Sequence, residues 1–291
     1  MDVVVFSITS YVYCLFVKKR KLSPPNNDKP SICFGGCGVR YHLYGGVAEY
    51  ALDNFDTRNI DIICVSGGIF AAVILSLGRK MTEWTNRDWP RCYEYWSKRS
   101  LFMWFDTTEF HRNMWRGYLP HDAYQICSDH LHITISRLGI YGFYEERIST
   151  YASNEELIDA ILGTIHILGT FRNFPVVRGR YAFDGCYSNL KPRTSAKTLM
   201  VKMFGRGHID NGNKLSILNV LSLVNPADCP VSIRHGYNIA SIKHQAFLDC
   251  GFSRGGTKVP PYPLLSWNQM RRGSCDFVAY ERFAFKGNRG F

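Results

Sequence analysis

Long apolar runs are missing from this 291-residue chain. No stretch of about 20 apolar residues occurs, which argues against a polytopic helical membrane protein. Periodicity is missing too. The 25 glycines and 12 prolines keep no fixed interval and no internal repeat appears, so collagen, coiled-coil and low-complexity architectures are excluded. None of the ten cysteines forms a C-x-x-C pair, which leaves zinc-ribbon and dithiol redox motifs without support. Several cysteines sit inside apolar runs, where a free thiol packs as a small hydrophobe, and this reads as a reducing compartment. Acidic residues are in deficit: 24 Asp and Glu against 35 Lys and Arg give a net charge of +11. That balance suits a phospholipid surface or a nucleic acid, or simply a basic globular protein. What is abundant is apolar. At 46% hydrophobic and 20% charged residues the chain can bury a real core, and 14% aromatics favour a thick core, a lipid-facing surface, or both.

The N-terminus opens on an apolar stretch, Val3–Val17, followed by Lys18, Lys19, Arg20 and Lys21 and then by the linker-like LSPPNNDKP. The charges follow the apolar run instead of preceding it, which is the wrong order for a cleaved signal peptide. Two readings remain: a buried first strand or helix, or a membrane anchor whose basic flank would leave the body of the protein on the cytoplasmic side.

Chemistry begins at Ser31-Ile32-Cys33-Phe34-Gly35-Gly36-Cys37-Gly38, a short apolar strand running into a glycine turn. Leu43, Val47, Tyr50, Ala51 and Phe55 then keep a helical spacing. Strand, glycine turn and helix together point backbone N–H groups at an anion, either a phosphate or an oxyanion formed in acyl transfer. The dinucleotide fingerprint fails because Tyr41 stands where Gly or Ala is needed, and the phosphate-loop pattern is absent.

A second strand, Asn59–Val65, ends at Ser66-Gly67-Gly68, and the apolar Ile69–Leu77 follows as a helix. This is the strand–serine–helix order of a nucleophile elbow, G-x-S-x-G, with Cys64 in place of the first glycine. The serine of such an elbow sits on a tight turn, and the helix N-terminus behind it favours developing negative charge. An isolated S-G-G is also an ordinary turn. The third stretch, Asp184-Gly185-Cys186-Tyr187-Ser188-Asn189-Leu190-Lys191-Pro192, places an aspartate and a glycine at the end of a short strand.

Taken in order, glycine loop, S-G-G about 25 residues on, and D-G far downstream, residues 30–195 resemble the patatin-like phospholipase family. The likeness is strongest to its animal-type branch of adipose triglyceride lipase and adiponutrin. Leu119–Gln125, the strand-like Leu131–Arg137 and the helix opening at Ser153, where Ser153 and Glu156 form a capping box, add to it. The resemblance implies a three-layer α/β/α patatin-like fold with a mostly parallel central sheet. It also implies Ser66 as nucleophile, Asp184 as base, and the backbone N–H groups of Gly36, Cys37 and Gly38 as oxyanion hole. The expected activity is that of a serine lipid acyl hydrolase that needs no cofactor and cleaves fatty-acyl esters at a membrane or lipid-droplet surface. A catalytically weak lipid-binding or regulatory protein with the same fold is the alternative. Tyr41, Cys64 and Cys186 favour it, Tyr41 because bulk there would narrow access to the oxyanion hole and Cys186 because it replaces the last residue of D-G-[GA].

A triad would instead need a histidine. His42 and His166 read as core or surface residues, and His208, His235 and His244 follow Asp184 with no motif around them. His121-Asp122 and Asp129-His130 with His132 have poor spacing for a metal, and none is expected. Residues 82–118 hold five of the six tryptophans among basic residues, a pattern shared by core helices, lipid-facing surfaces and single-strand nucleic-acid binders. No nucleic acid is expected on balance, and oligomeric state is left open. Three regions result: 1–29 as a possible anchor and linker, 30–195 as the catalytic domain, and 196–291 as a C-terminal extension. Within the extension 197–204 reads as a strand, 215–224 as an apolar segment and 237–251 as a helix.

Overall fold

The computed structural model describes residues 28–97, 108–167, 174–203, 207–210 and 224–255. The N-terminal apolar stretch with its basic cluster, the apolar segment 215–223 and the tail from 256 onward lie outside the described residues.

Apolar β-rich runs become strands and glycine or serine turns separate them from helices. Strand β1 (Ser31–Phe34) leads through the glycine loop to helix α1 (Tyr41–Asn54). Strand β2 (Asp61–Val65) leads through a 3₁₀ turn at Ser66–Gly68 to α2 (Ile69–Ser76). Four helices follow: α3 (Met81–Arg87), α4 (Trp89–Ser97), α5 (Thr108–Tyr118) and α6 (Ala123–Cys127). Then come the β3 (Leu131–Gly139) and β4 (Gly142–Ile148) hairpin and helix α7 (Asn154–Thr164). Three two-residue strands are next, β5 (Val176–Val177), β6 (Arg180–Tyr181) and β7 (Phe183–Asp184). Strands β8 (Thr198–Lys202) and β9 (Ile209–Asp210) and helices α8 (Cys229–Ile242) and α9 (His244–Asp249) complete the described chain.

The result is a three-layer α/β architecture with a mostly parallel, mixed sheet. Strand order is β4-β3-β2-β1-β8-β9, with β7 also paired to β3. The five strands from β3 to β9 run parallel, whereas β4 and β7 run antiparallel to β3. Side chains alternate across the sheet. Ile32, Phe34, Ile62, Cys64, Leu199 and Val201 join the main core beneath the helices, while Cys33, Ile63 and Met200 form a small cluster on the other face. That second face is crossed by the segment after β7, pinned where Ser136 Oγ bonds Ser188 and where Ser31 Oγ meets Ser195 Oγ at 3.3 Å.

The sheet runs on past residue 195, because β8 pairs with β1 in register from Ser31↔Thr198 to Phe34↔Val201. Helix α8 packs along α1, with the Tyr50 and Tyr237 rings 5.2 Å apart. The helix expected over 237–251 is in fact two. Pro230 opens α8 in its first turn, where the missing N–H costs nothing, so the helix starts at Cys229, and it breaks at Lys243 before α9. The tryptophans of 82–118 that carry a described side chain are largely internal. Trp84, Trp89 and Trp115 are buried with Phe70 and Tyr41, which is the core-helix reading of that stretch, and Trp96 packs half-buried against the same core. Trp104 lies outside the described residues. Ser153 caps α7 by accepting the Glu156 N–H, but the Glu156 carboxylate reaches back to the N–H of Ala152, one residue earlier than a standard capping box.

Candidate active site

Ser66 follows β2 at the carboxyl edge of the parallel sheet, with φ = +55°, a left-handed conformation that a non-glycine residue adopts at a cost of about 1–2 kcal/mol. Such strain is held only where the surroundings over-determine it. Here the Ser66 N–H donates to Thr164 Oγ1 (3.0 Å), and the Thr164 hydroxyl donates in turn to the Thr134 carbonyl (2.6 Å). The end of α7 and the middle of β3 therefore both grip the turn. Glycine is required directly after the serine: a β-carbon on Gly67 would lie 2.0 Å from the Gly38 carbonyl oxygen, so elbow and glycine loop are in backbone contact. Cys64, at the position of the missing first glycine, points into the main core and is accommodated there.

Asp184 reaches Ser66 across 118 positions of chain because of the way β3 shares its edge. Strand β2 pairs with β3 only as far as Val65↔Thr134. Beyond that point β7 pairs with β3 at Ile135↔Asp184, so the aspartate sits where β2 would have continued. Ser66 Oγ donates to Asp184 Oδ2 at 2.6 Å, and the Cys186 N–H donates to Asp184 Oδ1 at 2.8 Å. The Asp184 backbone is anchored as well, its N–H donating to the His166 carbonyl and its carbonyl accepting from Ser136 Oγ. Asp184 is buried, and this desolvation pushes its carboxyl up to about 6, against the smaller lowering effects of the Ser66 hydroxyl and the Cys186 N–H. A carboxylate with its pKa near neutrality beside a serine hydroxyl is poised to take a proton.

The glycine loop faces this pair. A β-carbon on Gly36 would lie 3.7 Å from Ser66 Cβ and 2.5 Å from Cys186 Sγ. Among the described residues, none accepts a hydrogen bond from the N–H groups of Gly36, Cys37 or Gly38. The Cys37 thiol is buried and pushed up first by desolvation and then by the Asp184 charge, so it remains a neutral packing group. Cys186 likewise has its thiol raised, again by burial first and then by Asp184. Its sulfur fills the space between loop and dyad. Tyr41, expected to crowd the loop, has its ring stacked on Phe70 at 4.1 Å and set edge-on to Trp84 and Trp89, so its bulk is absorbed by the core.

No histidine among the described residues bonds either Ser66 or Asp184. His166 donates Nδ1–H to the Ala182 carbonyl and stacks on Phe183, and burial lowers its pKa so that it stays neutral. His42 is buried among Tyr41, Trp84 and Trp89, with its pKa lowered to about 3 by burial. His208 accepts the Met200 N–H, His244 bonds the Tyr50 hydroxyl at 2.6 Å, and His235 lies on α8. Among the described residues no group of three His, Cys, Asp or Glu is placed to hold a metal; His121 and Asp122 approach only to 3.9 Å with His121 fully in solvent.

Motif reading located Ser66, Asp184 and the loop, and the fold brings all of them together. It missed Thr164, Ser136 and Ser188, which hold Ser66 and Asp184 in place. A lone Thr near the end of an apolar helix carries no sequence signal of that role. No family model matches the chain, and no curated protein matches it.

Proposed function

We propose that this chain is a patatin-like serine acyl hydrolase acting on fatty-acyl esters at a lipid surface. The observation that carries the reading is the 2.6 Å hydrogen bond from Ser66 Oγ to a buried Asp184 at the carboxyl edge of the sheet, beside three backbone N–H groups that have no acceptor among the described residues. In the first half-reaction the Ser66 proton passes to Asp184 Oδ2 while Oγ bonds the ester carbon. The carbonyl oxygen takes up the electron pair and is held by the N–H groups of Gly36, Cys37 and Gly38; donors of this kind contribute about 2.7–4 kcal/mol each to the transition state. Collapse breaks the ester C–O bond, and the leaving alcohol recovers the proton from Asp184. Water, deprotonated by Asp184, then attacks the acyl-enzyme, and the fatty acid departs with Ser66 restored.

A lipid-binding protein of low turnover is the second reading, favoured by one feature: Cys186 Sγ occupies space directly over Gly36. Fluorophosphonate labelling read by intact mass separates the two. The hydrolase reading expects one adduct on wild type, none on Ser66→Ala and strongly slowed labelling of Asp184→Asn. A folded wild-type protein that takes no label refutes it.

A further inference from the structure

The β3–β4 hairpin is longer than the sheet needs. Ile135 is level with Ser66, since β2 ends against Thr134 and Asp184 pairs with Ile135. Strand β3 nevertheless continues to Gly139 before turning back at Gly142. At about 3.3 Å per residue, Gly139 stands about 13 Å beyond the level of Ser66, on the carboxyl side of the parallel strands.

The projecting turn is apolar where turns are usually polar. Ile140 is 96% exposed, Tyr141 87% and Leu138 62%. Beside it the β5–β6 hairpin and the residues leading into it expose Phe174, Val176 and Tyr181. The two hairpins frame an open cavity of 540 Å³ that includes Leu138, Tyr144, Val176 and Tyr181 in its walls. Single exposed hydrophobic residues are commonplace, but six gathered on one projecting edge are not.

The patch is also rigidly mounted. Buried Arg137 donates to the carbonyls of Val177, Arg180 and Tyr181 and pairs with Glu146, locking the second hairpin to the first. Arg178 and Arg180 of the second hairpin are half in solvent and paired with Glu156 and Glu146, and the chain as a whole carries a net charge of +11. An apolar, aromatic tip on a chain with this excess of cations matches the region just below anionic lipid headgroups.

We propose that Leu138, Ile140 and Tyr141, with Val176 and Tyr181 beside them, insert shallowly into an anionic lipid surface and turn the Ser66 edge of the sheet toward it. What the docking serves rests on the acyl-hydrolase reading; the docking itself does not.

The test is amide hydrogen exchange on the full chain, with and without phosphatidylcholine vesicles containing phosphatidylserine, for wild type and Ile140→Glu/Tyr141→Glu. Both substitutions are on exposed side chains, and unchanged protection of β1 and β2 serves as the folding control. The proposal expects vesicles to protect residues 138–142 and 176–181 in wild type and not in the variant, whose vesicle partition falls about tenfold or more. Vesicle binding without protection there, as docking through residues 3–17 alone would give, overturns it. So does equal protection by vesicles lacking phosphatidylserine, or protection that rises with protein concentration and no vesicles, which would assign the patch to a second copy of the chain. Turnover of a water-soluble short-chain ester is scored alongside. Its absence in wild type overturns the hydrolase reading alone, and the exchange data then judge the docking separately.

Discussion

Replacing Asp184 by Asn is expected to stabilise the protein at alkaline pH while abolishing turnover. The Asn carbonyl can keep accepting the Cys186 N–H, and its amide can donate to Ser66 Oγ, so the packing survives while the charge is lost. The carboxyl titrates near 6 in the fold against 3.8 when unperturbed, a difference of about two units caused by burial. Because the folded value is the higher one, the native state binds the proton more tightly than the unfolded chain. The associated stability is fully present below pH 3.8 and is lost as pH rises through 6. The whole effect is about 3 kcal/mol, of which about 1 kcal/mol falls between pH 5 and pH 8. Asn carries no such cost, so the stability of the variant relative to wild type should rise by that amount over the interval. Urea unfolding followed by the fluorescence of buried Trp84, Trp89 and Trp115 measures it. The activity of wild type should fall as pH drops through about 6, since a base must be unprotonated to act. A stability difference independent of pH would refute the assignment of a buried, ionised carboxylate, and with it the physical basis for Asp184 as base.

Gly36→Ala should nearly abolish activity because its methyl would meet Cys186 Sγ at 2.5 Å, and adding Cys186→Gly should restore much of it by clearing that space; kcat of the single and double variants checks both. Thr164→Val removes the acceptor for the Ser66 N–H and the donor to the Thr134 carbonyl, so about 1–3 kcal/mol of stability should be lost. In the same variant kcat should fall further than KM rises, as expected for a residue that holds the elbow; steady-state kinetics beside urea unfolding would show a purely structural role if kcat were unchanged. Arg137→Met should free the β5–β6 hairpin, which loses three carbonyl contacts and an ion pair, and hydrogen exchange should quicken at 176–181 before it does in β1 or β2.

The strand, Ser66 turn and α2 helix were legible from sixteen consecutive residues, Asp61–Ser76, because an apolar strand, two glycines and an apolar helix leave the backbone few other conformations. The Ser153 cap was legible for the same reason: its partners lie within four residues. The boundaries of α8 were not, since the apolar spacing after Tyr237 continues through Lys243, where the helix breaks. Nor was the placement of the tryptophans, whose neighbours Phe70 and Tyr41 come from other elements. A basic, aromatic-rich stretch has the same composition whether it faces lipid or the core.

The sequence by itself determined which residues can make a nucleophile turn, an anion-facing loop and an acid, because those are local matters of side-chain chemistry and backbone freedom. Only the tertiary structure decided that they meet. Asp184 lies on a two-residue strand with no periodicity to read, and it reaches Ser66 because β7 occupies the edge of β3 that β2 vacates after Val65. The same long-range pairing raises the aspartate's pKa by burying it, and it sets Thr164 and Cys186 against the dyad. It also leaves Leu138, Ile140 and Tyr141 in solvent, where apolar residues in a strand-and-turn sequence would be read as core. Burial and strand partnership depend on what the rest of the chain brings alongside, which no local pattern specifies.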